Sequence, residues 1–127
     1  MNDDEITELA ILDAKKRKKV IARELVDENA QEDSPVSLFM AGSPGAGKTE
    51  MARLIIKEFS SQYGVVPVHI ENDELRKQFE AYNGLNSPLF QRPATILGEA
   101  IHDRALKRSV SFVLDSTLSN YDKAVSN

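Results

Sequence analysis

Residues 42–49 read Gly-Ser-Pro-Gly-Ala-Gly-Lys-Thr, a complete phosphate-binding loop of the form Gly-x-x-x-x-Gly-Lys-Thr. The glycines allow successive backbone N–H groups to turn toward phosphate oxygens. Lys48 would lie over the β- and γ-phosphates of a nucleoside triphosphate, and the Thr49 hydroxyl would coordinate Mg²⁺. An apolar run at 37–41 precedes the loop, and a helical pattern follows it, in the order that this motif requires. The predicted nucleotide-binding residues are Gly42, Ser43, Pro44, Gly45, Ala46, Gly47, Lys48 and Thr49.

The composition is that of a single soluble domain. The chain has 127 residues, of which 41% are hydrophobic and 28% charged, and its net charge is −4. This charge argues against binding to nucleic acid or to an anionic membrane. With no cysteine and two histidines, the chain is a poor candidate for a Cys-ligated or His-rich metal site. We expect a cytoplasmic protein.

The apolar patterns alternate between strands and helices. Predicted strands cover 37–41, 65–70 and 110–114, and predicted helices cover 4–29, 47–62, 73–81 and 93–107, with a further helix starting at Ser119 or Asn120. This alternation predicts an α/β fold with a doubly wound parallel sheet. In such sheets, ligands bind beyond the carboxyl ends of the strands, so the polar residues that follow the three strands should converge on one crevice.

Three helices carry an apolar stripe at helical spacing, which predicts the faces that they bury. The predicted stripe of the first helix is Ile6, Leu9, Ala10, Ala14, Ile21 and Leu25. That of the helix after the loop is Met51, Leu54, Ile55 and Phe59. That of the last long helix is Ile96, Leu97, Ala100, Ile101 and Leu106.

Two aspartates follow apolar strands and are candidates for the chemistry. Asp115 ends the third strand in the manner of a Walker B aspartate that holds Mg²⁺, and its alternative role is to cap a helix or turn. Asp73 follows the second strand, where it could accept the proton of an attacking hydroxyl, or act as a helix N-cap. Arg76, one turn further on, could bind a substrate phosphate.

The other charged and imidazole side chains have simpler interpretations. The run of cations at 15–19 either binds a phosphate or acidic partner or forms a solvated helix face. Arg104 and Arg108 are interpreted as surface residues paired at helical spacing. His69 and His102 are interpreted as ordinary surface or packing residues.

Three motifs together resemble the zeta-toxin family, kinases of toxin–antitoxin systems that phosphorylate UDP-N-acetylglucosamine. They are the phosphate-binding loop, the sequence Glu-Asn-Asp-Glu-Leu-Arg at 71–76, and Leu-Asp-Ser-Thr-Leu-Ser-Asn at 114–120. The resemblance covers residue 35 to the C-terminus. Two departures stand out: Ser119 replaces an arginine of the family motif, and Asp73 is the only residue kept unchanged from its Asp-Gly-Asp sequence.

The resemblance implies a role for each matching residue. Asp73 would be the catalytic base, and Lys48 with the loop would hold ATP. Arg76, Glu99 and Thr117 would contact the sugar nucleotide. The implied cofactors are ATP and Mg²⁺, with Thr49 and Asp115 at the metal, and the implied partners are a UDP-sugar and an antitoxin protein.

The resemblance also implies a three-layer αβα kinase fold. Residues 1–34 would form an N-terminal helix and linker, and 35–127 a kinase domain with three of the usual five strands. We expect the 37–41 strand to be an exposed edge beside the third strand, the later strands and the lid to be missing, and stability and activity to be low. The alternatives are a non-catalytic nucleotide-binding module and a small-metabolite or nucleotide kinase. A motor-type ATPase is disfavoured, since Ser116 follows Asp115 where such enzymes have glutamate.

Overall fold

A computed structural model describes residues 1–29, 31–42 and 48–117, without the side chains of 41, 42, 48, 49, 116 and 117. Its helices and strands are α1 (Asp3–Val26), β1 (Ser37–Gly42), α2 (Lys48–Tyr63), β2 (Val68–Glu71), α3 (Asn72–Arg76), α4 (Gln91–Lys107) and β3 (Phe112–Thr117). A single 3₁₀ turn, Ser87–Phe90, leads into α4. The predicted alternation of strands and helices is confirmed, and the helix predicted at Ser119 or Asn120 lies outside the described residues.

The three described strands form one parallel sheet in the order β1-β3-β2. Strand β3 is central: Ser37 and Val68 both lie opposite Phe112 in its register. The parallel α/β fold predicted from the sequence is therefore confirmed, as is the position of β1 beside β3 at an edge of the described sheet. Phe39 on this edge strand is 42% exposed.

Helices α1 and α4 run parallel and pack closely through small side chains. Near their N-termini, the Thr7 hydroxyl donates to the Leu89 carbonyl oxygen at 3.0 Å, and near their C-termini, Arg104 binds Asp27. The side chains of α1 that are buried are Ala10, Ala14, Ile21, Ala22 and Val26. The predicted burial of Leu9, Leu25 and Leu106 is wrong, because contact through alanines leaves these larger side chains at the solvent-facing margin.

Helix α2 covers β1 and β3 with less of its apolar stripe than expected. Ala52 is fully buried, and Ile55 and Phe59 are half-buried. Met51 and Leu54 are 53% and 63% exposed, so their predicted burial is wrong. The apolar stripe is wider than the part of the described sheet that α2 covers, so one side of the stripe is exposed to solvent.

Strand β3 spans Phe112–Thr117 rather than the predicted 110–114, so Asp115 lies within the strand and does not end it.

The limits of three further elements differ from the sequence prediction for local reasons. Strand β2 begins at Val68 rather than 65, since Pro67 has no N–H for the sheet ladder. Helix α4 begins at Gln91 rather than 93, because the first turn of a helix tolerates Pro93. Helix α3 ends at Arg76, and the chain from Lys77 continues as turns rather than as the predicted helix to residue 81.

Two arginines of the α4 C-terminus hold the end of α1. Arg104 donates from Nε and Nη2 to the two carboxylate oxygens of Asp27, at 2.9 and 2.6 Å. The Arg108 Nε lies 3.3 Å from the same carboxylate. The interpretation of these arginines as a surface pair on their own helix is therefore wrong, because their common partner is 77 residues away from Arg104.

Acid is expected to weaken this contact between α1 and α4. The hydrogen bond from Arg104 holds the pKa of the Asp27 carboxyl below its ordinary value of 3.8. The contribution of Asp27 to the free energy of unfolding is therefore complete above a pH of about 4, the pKa range of the unfolded chain, and is lost as the pH falls through the lower pKa of the folded chain.

Denaturant titrations at a series of pH values measure this effect. Asp27→Asn should flatten the acid limb of the stability curve, whereas Asp33→Asn, at an exposed position, should leave it as in the parent chain. An acid limb unchanged in Asp27→Asn would contradict the assignment.

Candidate active site

The carboxyl ends of the three described strands meet at one edge of the sheet. In the strand register, Gly42 of β1 lies opposite Thr117, and Glu71 of β2 lies opposite Asp115. The predicted convergence of the strand ends is therefore confirmed. Residues Ser43 to Gly47 of the phosphate-binding loop lie outside the described residues, as do the side chains of Lys48 and Thr49, while α2 begins at Lys48 directly after the loop.

Asp73 lies at this edge with its carboxylate open to solvent. Its side chain is 67% exposed, and one oxygen accepts a hydrogen bond from Arg76 Nη1 at 2.5 Å. The alternative role of Asp73 as an N-cap is wrong, because α3 begins at Asn72 and its N-cap residue is Glu71. The carboxylate is therefore held on one side by a cation and accessible on the other.

The Arg76 guanidinium is buried and held at two points. Its side chain is only 10% exposed, and Nη2 donates to Gln91 Oε1 at 2.8 Å while Nη1 binds Asp73. The third nitrogen, Nε, is buried and has no hydrogen-bond partner among the described residues. Gln91 was missed by the sequence analysis, since it lies 15 residues beyond Arg76 and no local pattern links the two.

Asp115 is buried and has His69 and Glu71 as neighbours on β2. The His69 Nε2 lies 3.5 Å from Asp115 Oδ2 and 3.9 Å from Glu71 Oε2. The interpretation of His69 as an ordinary surface or packing residue did not include this grouping. Its signal in the sequence is the spacing of 69 and 71, which places both side chains on one face of a strand.

His102 has the packing role expected of it. It is buried on α4, and its ring lies edge-on to those of Phe39 and Phe112, with centroids 5.8 and 4.9 Å apart. Its surroundings are aromatic, in contrast to those of His69.

Two predicted substrate contacts lie in different parts of the described chain. Thr117 ends β3 opposite Gly42, although its side chain lies outside the described residues. Glu99 lies on α4 and lines a groove of about 560 Å³ between α1 and α4. The residues that line this groove are Lys15, Lys18, Lys19, Ala22, Arg23, Arg92, Ile96, Glu99, Ala100, Asp103, Arg104 and Lys107.

The basic run at 15–19 divides between two environments. Lys15, Lys18 and Lys19 border the groove, whereas Arg17 forms a bidentate ion pair with Asp13. Arg17 also donates to the Gln78 carbonyl oxygen at 2.7 Å and lies over the Phe79 ring. This contact joins α1 to the segment that follows α3.

Among the helices of the described part of the chain, none combines the length and the hydropathy that a membrane span requires.

Comparison with known proteins agrees with this architecture. A solved structure from a study of the PezAT chromosomal toxin–antitoxin system of Streptococcus pneumoniae has a similar fold, with a TM-score of 0.70 and 21% sequence identity. The alignment covers 89% of this chain and 48% of that one, so the chain spans about half the length of its structural relative. No curated protein matches the sequence.

The sequence model that describes the Zeta toxin family matches residues 21–126. This range contains the phosphate-binding loop, all three described strands and both aspartates of the strand-end edge. The chain therefore belongs to the zeta-toxin family.

Proposed function

We propose that this chain carries the nucleotide-binding part of an ATP-dependent kinase, which phosphorylates a hydroxyl of a UDP-sugar, with UDP-N-acetylglucosamine as the acceptor. Membership of the zeta-toxin family and the complete phosphate-binding loop support this activity. The observation that carries the proposal is the solvent-accessible carboxylate of Asp73 at the edge where the loop begins.

The proposed reaction transfers the γ-phosphoryl group of ATP to the acceptor oxygen. The hydroxyl oxygen forms a bond to the γ-phosphorus, the bond from this phosphorus to the bridging oxygen breaks, and ADP leaves. Asp73 accepts the hydroxyl proton. Lys48 and the backbone N–H groups at 42–49 bind the phosphates and orient them toward the acceptor.

Arg76 is proposed to set the position of the base and to bind the acceptor. Its buried guanidinium keeps one hydrogen bond to Asp73 and one to Gln91, and its positive charge would attract an anionic group of the acceptor. Thr117 and Glu99 complete the proposed set of acceptor contacts. The position of Thr117 opposite Gly42 supports its role, and that of Glu99 rests on the family resemblance.

Mg²⁺ fits the chemistry of the residues at this edge. Asp115 offers a buried carboxylate near the C-terminal end of β3, and hard oxygen ligands of this type suit Mg²⁺. Thr49 is the proposed second ligand. The ion would neutralise charge on the phosphates, which lowers the barrier to their attack by a hydroxyl.

An antitoxin is the proposed protein partner. The published description of the similar fold names a chromosomal toxin–antitoxin system, which supports a partner of this kind. Binding of such a protein over the strand-end edge would block access to Asp73.

Incubation with Mg²⁺, ATP and UDP-N-acetylglucosamine tests the proposal. Mass spectrometry should detect ADP together with a sugar nucleotide that has gained one phosphoryl group. Lys48→Ala should abolish the product. ATP binding without product would instead favour a non-catalytic nucleotide-binding module.

Loss of the Gln91 side chain is expected to lower activity without removing the base. Gln91→Leu would free the Arg76 guanidinium from one of its two contacts, and small displacements of a positioned group cost up to about a hundredfold in rate. The expected decrease in kcat/KM is about tenfold or more. Gln78→Leu is the matched control, because its exposed side chain makes no hydrogen bond within the described chain. Equal activity of the two variants would show that Gln91 has no positioning role.

A further inference from the structure

We propose that His69, Glu71 and Asp115 form a binding site for a borderline divalent cation of the Zn²⁺ or Co²⁺ type. One ligand atom from each residue lies within 4.8 Å of the others. One imidazole nitrogen and two carboxylates are a donor set that suits these ions, whereas Mg²⁺ prefers oxygen ligands alone. The site requires no nucleotide; it shares Asp115 with the proposed Mg²⁺ position and differs from that position in its ligand set, which includes an imidazole nitrogen.

The sheet brings these three side chains together. His69 and Glu71 are two residues apart on β2, so both project to the same face, while Ile70 between them faces Gly98 of α4 on the opposite side. Asp115 lies directly opposite Glu71 in the register of β2 and β3. The ligand atoms are therefore fixed by paired backbone rather than by a loop.

The separation between His69 and Asp115 matches the spacing of ligands around one ion, and all three separations are within 4.8 Å. Ligand atoms at about 2.0–2.2 Å from a tetrahedral Zn²⁺ lie about 3.3–3.6 Å from one another. The His69 Nε2 is 3.5 Å from Asp115 Oδ2 and 3.9 Å from Glu71 Oε2. Small side-chain rotations would bring all three atoms into the first coordination sphere and leave a fourth position for water.

Burial and charge favour a cation at this point. Glu71 and Asp115 are both buried, and two carboxylates this close repel each other in a medium of low dielectric constant. The His69 Nε2 is buried beside them and forms no hydrogen bond within the described chain. The remainder of the His69 side chain is 21% exposed, which provides a route from solvent.

The orientation of Glu71 is consistent with this role. Glu71 is the N-cap residue of α3, yet its side chain makes no capping hydrogen bond to that helix. Its carboxylate instead lies beside His69 and Asp115 on the face of the sheet.

Titration of the nucleotide-free 127-residue protein with Co²⁺ tests the site. We expect one equivalent to bind with visible d–d absorption, Zn²⁺ to displace it and excess Mg²⁺ to leave it in place. Loss of a residue that supports a metal ligand weakens binding by about 10- to 100-fold. His69→Gln removes a ligand itself and should weaken binding by at least as much. His102→Gln, which changes the other histidine, should retain the absorption. No absorption in the parent protein, or equal absorption in both variants, would overturn the proposal.

A measurement on the parent protein covers the case in which His69→Gln does not fold. The two imidazole rings give separate nitrogen–proton correlations in NMR spectra, and a spectrum of His102→Gln assigns them. Stoichiometric Zn²⁺ should shift the correlations of His69 and leave those of His102 unchanged. Shifts of both rings alike, or of neither, would contradict a site at His69.

Discussion

Asp73→Asn is expected to lower the rate of phosphoryl transfer by about a hundredfold to ten-thousandfold, the range associated with loss of a general base. The amide has nearly the same shape as the carboxylate and can still accept a hydrogen bond from Arg76, but it cannot take the hydroxyl proton. ATP binding should be unchanged, because the phosphates are held by residues 42–49. Steady-state kinetics and calorimetric titration with ATP separate the two effects.

Glu74→Gln is the matched control for this experiment. Glu74 is the next residue on α3, it is exposed, and its described ion pair is with Lys77. Its neutralisation should leave the rate within about twofold, since exposed pairs of this type contribute little. If both variants lost activity equally, the effect would come from the net charge of α3, and Asp73 would not be the base.

Phe90→Ala is expected to destabilise the fold by about 3–5 kcal/mol, the usual effect of removing a fully buried aromatic side chain. Phe90 has no exposed surface, its ring stacks on Phe79 with centroids 5.7 Å apart, and the ring of Tyr82 packs edge-on to it. Few small domains are more than 5–15 kcal/mol stable, so this loss is a large fraction of the total. Chemical denaturation followed by circular dichroism measures it.

Leu85→Ala is the control for Phe90→Ala. Leu85 lies five residues earlier and is 93% exposed, so its truncation should change the free energy of unfolding by less than about 0.5 kcal/mol. Equal destabilisation by the two substitutions would indicate that the Ser87–Phe90 turn is not packed as described. Because Gln91 follows Phe90 directly, Phe90→Ala should also reduce activity through the contact between Gln91 and Arg76.

The sequence predicted those features that depend on residues close together in the chain. The phosphate-binding loop specifies its own strand and helix, and the short strands are recognisable from their apolar runs. The predicted buried faces of the helices were less accurate. Leu9 and Leu25 have the period expected of buried residues, but α1 packs against α4 through alanines. Which residues of an apolar stripe are buried therefore depends on the partner helix.

The sequence predicted the two carboxylates of the site but not the side chains that lie beside them. Asp73 and Asp115 could be selected because each comes at or soon after the end of an apolar run in the sequence. Gln91 could not, since its contact with Arg76 depends on the path of residues 77–90 and on the 3₁₀ turn before α4. His69 could have been selected only with the register that places Glu71 opposite Asp115.

The contribution of α1 to the core has a consequence for how this protein can be divided. Ala14 and Val26 have no exposed surface and belong to the same cluster as Phe90 and Leu97. The family match begins at residue 21, near the C-terminal end of this helix. A recombinant fragment cut at that boundary would lose the N-terminal three-quarters of α1 and uncover apolar surface on α4. Expression limits should therefore be set before Asp3, where Asn2 caps the helix.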